Sequence, residues 1–123
     1  MTHDEAIAKG AALTGYEVHV IESSDAALRG QRLLLTTLGL AFGRAPHCRD
    51  QEHTRVCICI ESGKVSRLAA TLDWVPGEGV VLTDQHNDNG VWVDGAKIKQ
   101  RRTMQAGERF NIPSTTFAVV ATP

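Results

Sequence analysis

Short runs in which apolar and polar residues alternate, separated by glycine-containing turns, dominate this chain from residue 16 onward. Residues 16–20 and 55–60 alternate most clearly, and in the second run Ile58 and Ile60 fall on one face with two cysteines on the other. A period of two places the apolar side chains on one side of an extended strand, so each run predicts a half-buried β-strand. Further strands are predicted at residues 33–35, 38–42, 68–74, 79–83, 91–93, 109–112 and 116–120.

Turn signals separate these predicted strands. They are the pairs Pro76–Gly77, Asn89–Gly90, Asp94–Gly95 and Ala106–Gly107. Glycine in such a pair accepts the backbone angles that reverse a chain. Many short strands joined by close turns are typical of an all-β sandwich or barrel, and 123 residues fit one domain. We therefore predict an all-β fold, a sandwich of about ten to eleven short antiparallel strands.

A leader, residues 1–15, precedes the domain predicted for residues 16–121. Thr2 and Glu5 have the spacing of a capping box, which favours a short N-terminal helix. Gly15 is expected to mark its end. The alternative, a leader that lies outside the folded domain, stays open because chain ends are often poorly ordered.

The charge balance and the aromatic content exclude several classes of partner. The chain has 13 basic and 14 acidic side chains, a formal net charge of −1, and only 5% aromatic residues. Nucleic-acid binding normally needs a basic excess or stacking aromatics, so no nucleic-acid partner is expected. No apolar run is long enough to span a membrane, and the N-terminus lacks the apolar stretch of a signal peptide. Three cysteines, an odd number, fit a reducing compartment, so we expect a cytoplasmic protein without a membrane partner.

One segment contains residue types that bind metals. Five soft ligands lie within thirteen residues: His47, Cys48, His53, Cys57 and Cys59. A zinc site would need four of them to converge, usually with a two-residue spacer between paired cysteines, and the last two are separated by one residue. Free cysteines on a sheet face are therefore favoured over a metal site, and no metal or other cofactor is expected. No catalytic arrangement stands out either, which predicts a protein without enzymatic activity.

Hydrogen-bond donors cluster at the ends of several predicted strands. Gly43-Arg44 ends one strand, and Ser66-Arg67 precedes another. Arginine offers a planar set of donors suited to phosphate, and serine adds a further donor. Asn89 lies beside a glycine turn, where its amide can face a ligand. Loops on a rigid sandwich that combine such donors are able to recognise a phosphorylated peptide.

Taken in order and spacing, these segments resemble the forkhead-associated (FHA) domain, a phosphothreonine-binding β-sandwich. The resemblance extends from about residue 16 to residue 120. The matching positions are Gly43 and Arg44, Ile58 and Ile60, Val65 to Arg67, Asp84 to Val91, Val93 to Gly95, and Met104, Gly107, Glu108, Phe110, Ile112 and Phe117. The resemblance implies a binding module that recognises a phosphothreonine-containing protein or peptide through loops at one end of the sandwich.

The resemblance also implies a role for each loop residue. The implied phosphopeptide-binding residues are Arg44, which clamps the phosphate, Ser66 and Arg67, which add donors, Asn87 and Asn89, which hold the peptide main chain, and Asp88, which occupies a frequent contact position. The implied structural residues of the loops and turns are Gly43, Gly90, Asp94 and Gly95. FHA domains are commonly pieces of longer chains, so we expect this domain to be part of a larger protein.

Four positions depart from the family pattern. Ala69 replaces a histidine that usually braces the loops, Asn87 replaces a serine, and Asp88 and Val91 replace threonines. The Asp88 carboxylate would repel a phosphate by roughly 1–2 kcal/mol at about 5 Å, even at the dielectric constant of water. An alternative function therefore stays open, that of a degenerate FHA domain used for phosphate-independent protein interaction or assembly.

Overall fold

A computed structural model of the chain describes residues 1–44, 54–85 and 89–123. The described part contains one short helix and eleven strands. In chain order they are α1 (His3–Ala8), β1 (Leu13–Ser23), β2 (Arg32–Thr36), β3 (Leu40–Arg44), β4 (Val56–Ile60), β5 (Ala70–Val75), β6 (Gly79–Asp84), β7 (Trp92–Val93), β8 (Ala96–Lys97), β9 (Arg101–Met104), β10 (Arg109–Ile112) and β11 (Thr115–Ala121).

The strands form two sheets, which confirms the predicted β-sandwich. One sheet has the order β2-β1-β11-β10-β7-β8 and the other the order β4-β3-β5-β6-β9. One pair of neighbours departs from the antiparallel expectation, since β3 and β4 run parallel, with Leu40 opposite Val56 and Arg44 opposite Ile60. Both strands therefore end at the same end of the sandwich.

Three phenylalanines from the two sheets meet in the core. Phe42 of β3 contacts Phe110 and Phe117 of the facing sheet, with ring centroids 5.6 and 4.8 Å apart. None of the three rings is exposed to solvent. In β4 the isoleucines Ile58 and Ile60 are buried and the cysteines face outward, as the alternating pattern predicts.

The predicted strands differ from the structure at the start of β1 and at two edge strands. Strand β1 begins at Leu13, three residues before the predicted start, because its first residues pair with β2 although the Leu13 side chain is 67% exposed. Strands β8 and β9 were not predicted. Both are short edge strands that carry charged, exposed side chains, and such strands lack an apolar alternation.

The predicted N-terminal helix is present and packs on the sandwich. Thr2 caps it by accepting a hydrogen bond from the backbone N–H of Glu5 at 3.2 Å, as the capping-box spacing predicts. The helix ends at Ala8, well before Gly15, and Gly10 follows with a φ of +89° that a helix does not allow. The side chain of Ala6 is fully buried in the core. No helix in the described ranges is both long and apolar enough to cross a membrane.

Two neighbouring positions of α1 test whether the leader is part of the folded unit. Ala6 is buried and Ile7 is 51% exposed, so Ala6→Glu should lower the free energy of unfolding by about 3 kcal/mol because it buries a charge. Ile7→Glu, the matched control, should change it by less than about 0.5 kcal/mol. Urea denaturation of the two variants measures the difference. Equal, small effects would indicate that residues 16–121 fold independently of the leader.

Candidate functional site

Arg44 is the last residue of β3, and the structure places it beside Ser66. The backbone N–H of Arg44 donates to the Ser66 carbonyl oxygen at 2.9 Å. The Arg44 side chain is half-buried, and so is Ser66. Two of the predicted phosphate-binding residues are therefore joined by a hydrogen bond of the main chain, although they lie far apart in the sequence.

The segment between β4 and β5, residues 61–69, holds Ser66 against the end of the sandwich. Val65 is 1% exposed and belongs to the hydrophobic core, so it anchors the segment next to the serine. Arg67 is exposed, and its guanidinium is accessible to a ligand. A buried anchor beside an exposed arginine gives this segment a fixed backbone and an accessible cation.

Asn89 connects the loop after β6 to the segment that carries Ser66. Its side-chain amide donates to the carbonyl oxygen of Lys64 at 2.8 Å. Its own backbone carbonyl accepts a hydrogen bond from the indole N–H of Trp92 at 3.0 Å. An asparagine amide has two N–H donors and a carbonyl oxygen, so the contact with Lys64 uses one of its donors. The loop tether is a role of Asn89 that the sequence did not indicate.

Gly90 is required by the backbone at this turn. Its φ is +77°, a conformation that favours glycine. A Cβ at this position would also lie 2.6 Å from Cε and 3.0 Å from Cδ of Lys97, because the lysine side chain lies directly over the turn. The next residue, Val91, is fully buried, so its apolar side chain fixes the end of the loop in the core.

Backbone hydrogen bonds brace the loops at Ala69, where the family pattern has a histidine. The Ala69 N–H donates to the Phe42 carbonyl at 2.8 Å, and the Ala69 carbonyl accepts from the Gln85 N–H at 3.0 Å. The Gln85 side chain also donates to the hydroxyl of buried Thr71 at 3.1 Å. These bonds tie the loop after β6 to β3 and β5 without a histidine.

The structure describes three of the remaining predicted site residues, all of them with predicted structural roles. Gly43 is buried in β3 opposite Cys59 of β4. Asp94 and Gly95 form the turn between β7 and β8, both with positive φ values of 51° and 78°, as in a two-residue hairpin loop. The other predicted peptide contacts, Asn87 and Asp88, lie outside the described residues.

Two cysteines of the predicted soft-ligand segment face outward from β4. Cys57 is half-buried and Cys59 is exposed, and both are free thiols. Their neighbours in that segment, residues 47, 48 and 53, lie outside the described residues. Within residues 1–44, 54–85 and 89–123, no group of three or more metal-ligating side chains occurs. The absence of a metal remains a prediction.

Three residues of this end of the molecule were missed by sequence reasoning. Lys64 supplies the carbonyl that tethers Asn89, Gln85 braces Ala69 and Thr71, and Lys97 covers Gly90. No spacing in the sequence marks these contacts. Chemically, the assembled loops offer arginine, hydroxyl and amide donors around one end of a rigid sandwich, which suits an anionic, extended ligand.

Comparison with known proteins agrees with this architecture. The FHA domain of the CT664 protein from Chlamydia trachomatis superposes with a TM-score of 0.71 at 22% identity, over 88% of this chain and 98% of that domain. EmbR of Mycobacterium tuberculosis, solved with a low-affinity phosphopeptide, gives 0.66 at 22% identity, over 90% of this chain and 25% of EmbR. The FHA domain of FhaA, solved with the intracellular domain of a second protein, gives 0.64 at 18% identity, over 85% and 98%.

The sequence itself matches the same family. No curated protein matches this chain. Residues 40–113, however, match the sequence pattern of the FHA domain. This match covers more than half of the chain and includes the strands and loops that bring Arg44, Ser66 and Asn89 to one end of the sandwich. The chain belongs to the FHA domain family.

Proposed function

We propose that this domain binds phosphothreonine-containing proteins through the loops at one end of its sandwich. The observation that carries the proposal is the hydrogen bond between the Arg44 N–H and the Ser66 carbonyl. It holds the backbones of the two residues side by side, and their guanidinium and hydroxyl would supply the charged and neutral donors that a phosphate accepts. Asn89 is hydrogen-bonded to the carbonyl of Lys64, which lies two residues before Ser66. It therefore adds a side-chain amide close to this pair.

Each loop residue has a distinct role in this proposal. Arg44 clamps the phosphate with its guanidinium, and Ser66 and Arg67 donate further hydrogen bonds. Asn87 and Asn89 hold the main chain of the peptide. The negative charge of Asp88 is expected to weaken phosphate binding. Gly43, Gly90, Asp94 and Gly95 have structural roles, Gly43 within β3 and the other three in turns.

The proposed activity is recognition without catalysis. FHA domains are interaction modules, and two structural neighbours of this chain were solved with a phosphopeptide or with a protein domain. We propose the same class of partner here, namely a phosphorylated protein, and not nucleic acid or a membrane. Two free cysteines in β4 fit a reducing compartment, so we propose that the domain acts in the cytoplasm.

Removal of the Arg44 guanidinium should abolish phosphopeptide binding. Arg44→Ala deletes the proposed clamp, and the free energy of unfolding should fall by less than about 1 kcal/mol because a partly exposed charge contributes little to folding. Arg44→Lys should also bind more weakly, since an ammonium lacks the two-pronged geometry of the guanidinium. Titration with an oriented phosphothreonine peptide library, alongside the unphosphorylated peptides, measures the affinity.

The matched control is Arg109→Ala, because Arg109 is an exposed arginine of β10. It should bind as the wild type does. Equal binding of phosphorylated and unphosphorylated peptides by the wild type would instead support the phosphate-independent function. A large loss of stability in Arg44→Ala with unchanged binding would make Arg44 a structural residue.

Loss of the hydrogen bond from Asn89 to Lys64 should make the neighbouring segment more mobile and should also weaken peptide binding. Asn89→Ala deletes the 2.8 Å hydrogen bond to Lys64, so affinity for a phosphothreonine peptide should fall by about tenfold. Amide hydrogen exchange in the segment of residues 64–66 should become faster in the absence of peptide. Unchanged exchange with weaker binding would show that Asn89 acts on the peptide alone.

Replacement of Asp88 should improve the site. Asp88→Thr removes roughly 1–2 kcal/mol of repulsion from the phosphate and adds a hydroxyl donor worth about 1 kcal/mol. Affinity for a phosphothreonine peptide should rise by about ten- to a hundredfold, and the gain should shrink with added salt because exposed charges are screened. Titration of both proteins with one phosphopeptide at two salt concentrations tests this. Tight binding by the wild type, without improvement in the variant, would show that Asp88 points away from the phosphate.

A further inference from the structure

A basic cleft of about 320 Å³ lies at the edge of the sandwich where β8 and β9 end the two sheets. Four cations surround it, two from the β8 region and two from β9. They are Lys97, Lys99, Arg101 and Arg102. The buried apolar residues Val93 and Ile98 also line the cleft. No residue of this cleft belongs to the phosphate-binding set proposed above.

The two arginines of the cleft are neutralised by neighbouring carboxylates. Arg101 donates to Glu78 at 2.7 Å and Arg102 to Glu108 at 2.8 Å. The hydrogen bond from Arg101 to Glu78 raises the pKa of that guanidinium. The pKa of Glu108 is lowered, first by a hydrogen bond from the Gln105 N–H and then by Arg102. Each arginine of the cleft is therefore paired with a carboxylate of its own.

The two lysines of the cleft have a different environment. Lys97 and Lys99 are exposed. In the part of the chain that the structure describes, neither forms an ion pair with a carboxylate. The buried Ile98 lies between them in the sequence, and both lysines line the same cleft. They are a pair of like charges available to an external anion.

Lys97 connects this cleft to the candidate phosphopeptide site. Its aliphatic stem lies on Gly90, close enough that a Cβ there would approach Cε to 2.6 Å. Lys97 is also opposite Trp92 in the β7–β8 pair, and the Trp92 indole is bonded to the Asn89 carbonyl. The lysine is therefore held at the rim of the loop that carries Asn89.

We propose that Lys97 and Lys99 form a subsite for acidic side chains that flank the phosphothreonine of a bound peptide. The proposal rests on the function proposed above and specifies its ligand as a phosphothreonine in an acidic sequence. An extended peptide advances about 3.3 Å per residue, so a peptide anchored at Arg44 and passing Asn89 carries its next residues over Gly90 toward the lysines. Carboxylates of the peptide would form ion pairs with the two lysines and neutralise their charges.

Three phosphothreonine peptides test this subsite. They differ only in their flanks, which carry alanines on both sides, glutamates after the phosphothreonine, or glutamates before it. One of the two acidic peptides should bind the wild type about three- to tenfold more tightly than the alanine peptide, the size expected of exposed ion pairs. The gain should vanish in the double variant Lys97→Gln/Lys99→Gln and should shrink as salt is added.

A charge-matched control removes two cations elsewhere. Lys9→Gln/Arg109→Gln changes two exposed residues and should retain the preference for the acidic peptide. Thermal denaturation of both double variants should match the wild type, since all four side chains are exposed. A preference lost equally in the control would reflect net charge alone and would overturn the subsite.

The failure of this proposal differs from the failure of the proposed function. Binding of the alanine-flanked phosphopeptide without any gain from glutamates overturns the acidic subsite and leaves phosphothreonine recognition standing, with the lysines serving only to shield the sheet edge. Absence of binding by all three phosphopeptides overturns both. Binding of a single-stranded oligonucleotide that is lost in Lys97→Gln/Lys99→Gln would assign the cleft to nucleic acid and also overturn the proposal.

Discussion

Phe42 joins the core of this protein to its candidate binding site. Its ring contacts Phe110 and Phe117 of the facing sheet, and its carbonyl oxygen accepts the hydrogen bond of Ala69. Alternate residues of a strand face the same side, so Arg44, two residues after Phe42, lies above the end of the core and is half-buried. The packing of Phe42 therefore helps to fix the end of β3, where the proposed phosphate-binding arginine lies.

The sequence predicted the strands whose residues alternate between buried and exposed. It did not predict the strands that are defined only by backbone hydrogen bonds to a neighbouring strand. β4 was predictable because Ile58 and Ile60 are buried while the cysteines between face outward. β8 and β9 carry exposed lysine and arginine at the sheet edges, so hydrogen bonds to a neighbour define them and no apolar pattern does. The parallel pairing of β3 with β4 was not predicted, because an alternating pattern indicates a strand without indicating the direction of its neighbour.

The candidate site divides in the same way. Arg44, Ser66 and Asn89 were identifiable because their chemistry and order resemble a known motif, and the structure brings them to one end of the sandwich. The contacts that hold the loops in place were not identifiable, since the Asn89–Lys64 and Gln85–Thr71 bonds join distant segments without a characteristic spacing. At Ala69, where the family pattern has a histidine, the backbone N–H and carbonyl form two hydrogen bonds, to Phe42 and Gln85, that no sequence pattern indicated.

The edge formed by β2 and β4 and the edge formed by β8 and β9 are protected by different means. At the β2 and β4 edge the leader pairs with both sheets, since the Met1 carbonyl accepts from the Cys57 N–H at 2.9 Å and the His3 ring is hydrogen-bonded to the Leu34 carbonyl at 2.8 Å. That edge is covered by the chain itself. At the β8 and β9 edge, exposed cations protect the unpaired backbone and leave the surface accessible. The accessible edge is the one that adjoins Asn89 and Gly90, so the charges that discourage non-specific strand pairing lie beside the proposed binding loops.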